Sequence, residues 1–290
     1  MKKYEFTGET KRVELWNRTA TLHRIKATVE FGFVKVGELG GWIEKEENLS
    51  HEGKAWVWGN AEVWGNAKVC GDAEVWGNAK VCGDAKVWGN AEVWGNAKVC
   101  GDAEVWGNAK VCGDAKVCGD AKVCGDAEVW GNAEVWGNAE VCGDAKVCGD
   151  AEVWGNAEVW GNAKVCGDAK VCGDAKVCGD AKVCGDAKVC GDAEVWGNAE
   201  VWGNAEVCGD AEVFLASHVL VMGSVGSRND FTTFFRDKDN EITVKCGCFL
   251  GKIDKFLEKV TQTHGNNKYA LVYRAAVEVA KLQIELTERK

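Results

Sequence analysis

The sequence predicts a mainly β protein: a triangular parallel β-solenoid of about 8–9 coils, preceded by a small β cap and followed by an α+β tail. Three observations predict it. A six-residue period runs without interruption from Ala55 to Val213. Its units read Ala, Glu or Lys, Val, Trp or Cys, Gly, Asn or Asp, with the fourth position recurring from Trp58 to Cys208. The chain of 290 residues holds 37 Gly, 16 Cys and 15 Trp but no Pro, a profile that a duplicated unit gives and an ordinary mixed domain does not.

Within a unit, Ala-Glu/Lys-Val-Trp/Cys alternates small or apolar residues with outward types, as a short strand does, and Gly-Asn or Gly-Asp then marks a turn. Alternation puts Ala and Val on one face and the charged and Trp/Cys positions on the other. The Ala and Val face must be the interior, because a narrow tube has no room for repeated indoles while stacked valines fill it at strand spacing. Gly with Asn or Asp tolerates the positive φ that a tight corner needs. Three sides of six residues close a coil of 18.

The flanks should cap the open coils, whose unpaired edges would otherwise polymerise. Residues 1–54 carry strand-like runs at 4–6, 12–16, 21–33 and 42–43 and form the cap. Residues 55–214 form the solenoid, and 215–290 form the tail, with strands at 219–222 and 242–245 and helical periodicity over 253–263 and 268–288.

The repeat Val-x-Gly-Asn/Asp-Ala-x resembles that of the YdcK-like hexapeptide β-solenoids of bacterial and phage type. The stretch from Thr21 to Ala27, Gly37 to Trp42 and Glu47 to Ser50 is similar to the leader before such repeats, and Gly226 to Asp230 with Cys246 to Phe249 resembles a tail seen in uncharacterised members. The resemblance implies a left-handed coil and brings no activity with it.

A net charge of −10 argues against nucleic-acid binding. No apolar run is long enough to span a membrane, and no export signal follows Met1. We therefore expect a cytoplasmic protein with reduced thiols. At the fourth position of the repeat, Trp is always followed by Gly-Asn and Cys by Gly-Asp, as tandem duplication of whole cassettes would leave them; the cassettes also limit like-charge stacking.

Positions 18 apart stack, so Trp58, Trp76 and Trp94 should form an indole row and Cys82, Cys100 and Cys118 a sulfur row. An exposed aromatic row is a candidate interface, and its bland counterpart is mutual shielding. Neighbouring cysteines have the Cα spacing that disulfides need, but parallel Cβ vectors argue against bonding. In the tail, Gly226, Ser227 and Arg228 are a candidate anion loop, with a plain turn the simpler reading. Cys246, Cys248 and His264 are weak candidates for a metal set, since Cys-x-Cys on one strand face is usually packing. Hexapeptide acyltransferases resemble this repeat but generally use a His base, and no His lies between His51 and His218. The expectation is a scaffold or protein-interaction surface with no catalytic residue and no cofactor. Its partner is a protein or a second copy, engaged through the Trp rows or the C-terminal helix. The alternatives are a ligand or metal sequestrant and a diverged acyltransferase.

Overall fold

The computed structural model describes residues 2–15 and 18–286. The chain divides into two compact units, Met1–Asp150 and Ala151–Lys290, a division that falls inside the repeat.

The first unit opens with β1 (Tyr4–Glu14), β2 (Thr19–Ala27) and β3 (Leu39–Ile43), antiparallel to one another in sequence order. The expected runs at 4–6 and 12–16 merge into β1, with Trp16 outside the described residues. Beyond the cap each hexapeptide contributes a Glu/Lys-Val strand, and strands 18 residues apart pair in parallel and in register. Lys98 faces Lys80 and Lys116, Glu92 faces Glu74 and Lys110, and Glu104 faces Lys86 and Lys122. These are three sides of one coil. Every repeat Ala and Val from Ala55 to Val213 is 0% exposed, so the narrow interior is filled by the two apolar positions and the other residues face out. Corners turn at Gly: Gly101 has φ 73° and approaches Gly119 so closely that a Cβ would lie 2.9 Å from its nitrogen.

The coil starts earlier than the exact repeat. β3 pairs in parallel with Glu62–Val63, Leu49 bridges in parallel to Val69, and Ile43 and Leu49 take buried interior positions. The spacing thus gives about 10 turns rather than eight to nine. Two extra residues in the corner between Leu49 and Val57 hide this coil from the hexapeptide period. Trp56, at a position that faces outward elsewhere, is fully buried, because Tyr4 and Phe31 of the cap pack edge-on against it at 6.2 and 5.4 Å.

The second unit is built on the same in-register stacking, with Lys170 facing Glu152 and Lys188, and Lys188 facing Glu206. The period closes at Phe214, whose ring meets Trp196 at 4.9 Å, His218 at 4.2 Å and the Arg236 guanidinium at 4.7 Å. A four-stranded antiparallel sheet follows: Val219–Val225, Asp230–Arg236, Ile242–Cys246 and Phe249–Lys252. Helices α1 (Ile253–His264) and α2 (Lys268–Gln283) cover it over a core that includes Phe234, Val244, Phe256, Tyr273 and Val277. Asn267 caps α2 by accepting from the Tyr269 and Ala270 amides at 2.9 and 3.2 Å. Positions 287–288 of the expected helix lie outside the described residues. No helix among the described residues is long and apolar enough to cross a membrane.

Candidate functional site

The indoles follow Val in each strand and therefore point outward, where a coil spacing near 4.8 Å lets rings stack. Trp76 and Trp94 do so at 5.0 Å and 6°. Trp58 does not extend the row as expected: it turns edge-on to the buried Trp56 at 6.4 Å, drawn in by the cap. A second stack not singled out from the sequence, Trp88 with Trp106, lies at 5.0 Å and 2°. Lysines reach over other indoles, as Lys80 does over Trp64 at 5.9 Å and Lys146 over Trp130 at 5.8 Å. Most repeat tryptophans are consequently only half-exposed; Trp136, Trp160 and Trp202 are more open.

The sulfur rows depart from expectation. Among the described residues, Cys124 is bonded to Cys142 and Cys190 to Cys208, each pair 18 residues apart with Cα atoms 4.6 and 4.7 Å apart. Parallel Cβ vectors do not prevent the bond, because at an outward position beside a Gly corner each Cys can rotate about χ1 toward its neighbour. Cys166 and Cys184 bring their sulfurs to 2.7 Å. Burial pushes the Cys172 thiol up, while Lys170 and Lys188 oppose it.

Most of the tail candidates converge. Ser227, Arg228, Cys246, Cys248 and His264 line one cavity of about 300 Å³, with Phe249, Phe256, Lys259 and Tyr273 completing its floor and rim. Gly226 and Asn229 have φ of 75° and 52°, so the Gly-Ser stretch is a hairpin turn, the simpler of its two readings. Gly226 packs under Tyr273, whose hydroxyl would lie 1.9 Å from an added Cβ. The Tyr273 phenol is pushed up by burial and then by the Cys246 sulfur, and stays neutral. Ser227 Oγ lies 3.5 Å from His264 Nε2. Arg228 and Lys259 beside aromatic rings suit an anionic group attached to a planar one.

The weak metal candidates Cys246, Cys248 and His264 line the same cavity without forming a ligand set. No three His, Cys, Asp or Glu side chains among the described residues are arranged to hold an ion. Cys246 and Cys248 do not share a strand face: Gly247, with φ 56°, turns the chain between them, so that Cys246 ends one strand facing Phe249 while Cys248 is exposed in the turn. Three other histidines are engaged in packing: His23 stacks on Phe6 at 4.8 Å, His51 on Tyr4 at 4.4 Å, and His218 is fully buried against Phe214.

Helix α2 has two apolar faces. Ala270, Tyr273, Ala276, Val277 and Ala280 are buried. Leu271, Val272, Ala275, Val279 and Leu282 point to solvent, with Leu282 89% exposed.

No protein-family model matches this chain, and no curated protein matches it.

Proposed function

We propose that this chain is a non-catalytic β-solenoid scaffold that joins a second copy of itself through α2. The observation that carries the reading is the outward stripe Val272, Ala275, Val279, Leu282. Its 3–4–3 spacing is the seam spacing with which two helices interlock. The opposite face of α2 already supplies the tail core, so fold stability does not account for a second apolar stripe. A second copy offers an identical stripe, which a two-fold axis makes self-complementary. Beside the stripe, Glu278 and Lys281 pair with each other at 3.0 Å. The YdcK-like resemblance, with the left-handed coil, cytoplasmic site and bacterial or phage origin it carries, belongs to the same reading, as does the absence of His throughout the repeat.

Sedimentation of the full chain across a concentration series tests it. The wild type should sediment as a dimer, and Val279→Glu with Leu282→Glu as a monomer with an unchanged circular-dichroism spectrum, since each apolar side chain buried in the seam contributes roughly 1.5–3 kcal/mol. A wild type that stays monomeric, or a double variant that stays dimeric, overturns the assignment.

A further inference from the structure

The sulfur rows form columns of neighbours rather than scattered thiols. Cys82, Cys100 and Cys118 stand in three successive coils of the first unit, and Cys172, Cys190 and Cys208 in three of the second. In-register pairing of Lys80, Lys98 and Lys116, with the Cys82 amide 2.9 Å from the Val99 oxygen and the Cys100 amide 2.9 Å from the Val117 oxygen, fixes the first column. The same stacking relationship already carries the bonds Cys124–Cys142 and Cys190–Cys208.

We infer that the column Cys82–Cys100–Cys118 is a dithiol–disulfide exchange site that reduces small-molecule disulfides and lets the resulting bond move between coils. The Cys82 thiolate attacks one sulfur of R–S–S–R and releases R–S⁻. The Cys100 thiolate then attacks the Cys82 sulfur of the mixed disulfide and releases the second R–S⁻. Two cysteines lose two electrons, the small disulfide becomes two thiols, and the two cysteine protons end on them. Attack by Cys118 on the Cys100 sulfur expels Cys82 and shifts the bond one coil with no net redox change. A straight stack suits this exchange, because the entering and leaving sulfurs flank the central one.

The column is also polarised. A hydrogen bond from Cys100 holds the Cys82 thiol below its usual value against the opposing effect of burial, and Lys80 and Lys98 add to the lowering. Cys118, at the far end, is raised by its hydrogen bond to Cys100, then by burial and by Glu134. Attack is therefore favoured at Cys82, and Cys100 or Cys118 takes that part where Cys82 is replaced.

The test treats the reduced full chain with oxidised glutathione and counts internal disulfides and glutathione adducts by intact mass. Cys100→Ser should show one internal disulfide fewer than wild type and retain an adduct that Cys82→Ser/Cys100→Ser lacks. Cys82→Ser and Cys118→Ser should each keep the wild-type number, since either leaves an adjacent pair. Equal counts in wild type and Cys100→Ser overturn the site, and a bond lost in Cys118→Ser or Cys82→Ser overturns its mobility. Each replacement exchanges one sulfur for an oxygen and leaves the Ala and Val interior of the coil untouched, and an unchanged circular-dichroism spectrum for each variant separates altered counts from misfolding.

Discussion

Lys122 Nζ lies 2.7 Å from Glu140 Oε1 one coil on, and two residues further along the same two strands Cys124 is bonded to Cys142. Lys188 and Glu206, at 3.3 Å, stand in the same relation to Cys190–Cys208. Glu140 and Glu206 precede the two repeat cysteines, Cys142 and Cys208, that have Glu rather than Lys two residues before them. Both bonded pairs therefore sit beside opposite charges. The unbonded column Cys82–Cys100–Cys118 sits beside three lysines and, at the corners, Asp84, Asp102 and Asp120.

That corner stack of carboxylates is a local weakness. Elsewhere Asn donates to the next coil's Asp, as Asn96 does to Asp114 at 2.9 Å and Asn108 to Asp126 at 2.8 Å. Asp102→Asn should remove a like-charge contact and supply that donor, stabilising the protein by about 0.5 kcal/mol. Urea midpoints at low and high salt would check it, with the gain shrinking as salt rises.

Corner glycines differ in what they tolerate. Ala at Gly59, where φ is 57° and nothing lies within 4 Å of the added Cβ, should cost only the left-handed backbone penalty of about 1 kcal/mol. Gly101→Ala adds the collision with Gly119 and should cost about 2–3 kcal/mol. The difference between their urea midpoints isolates the stacking constraint.

Acid should loosen the tail sheet. Burial alone would push the Asp237 carboxyl up, but the Lys252 ammonium at 2.5 Å, the Thr243 hydroxyl at 2.5 Å and the Glu241 amide at 3.2 Å hold it below its ordinary value. A depressed folded-state value means stability that is present above the unfolded Asp pKa, about 3.9, and lost as pH falls through the folded one. Hydrogen exchange at amides 241–243 should accelerate below about pH 4. Asp237→Asn should exchange faster at neutral pH and lack that acid step.

The repeat made the interior legible, because an alternation of Ala and Val with larger or charged residues leaves one arrangement that fits a thin tube. The first coil was not legible: Ile43 and Leu49 occupy interior positions, yet their spacing to Val57 is irregular and breaks the pattern that reveals the others. Trp56 reads as an outward residue until Tyr4 and Phe31, distant in sequence from it, are placed over its ring. Cys-x-Cys reads as one strand face until Gly247 is seen to turn the chain between the two sulfurs. The convergence of Ser227, Arg228 and His264 on one cavity had no shared sequence signal, since a hairpin and a helix from separate segments bring them together.

By itself the sequence determined the 18-residue coil, the buried valines and the outward ladders, since a strict period makes each residue's environment a copy of its neighbours' and local alternation then fixes every side. Only the tertiary structure decided which sulfurs bond, where the stack begins, and that α2 keeps a second apolar face outward. Those outcomes depend on side-chain rotation and on contacts between distant segments, and such contacts carry no period along the chain.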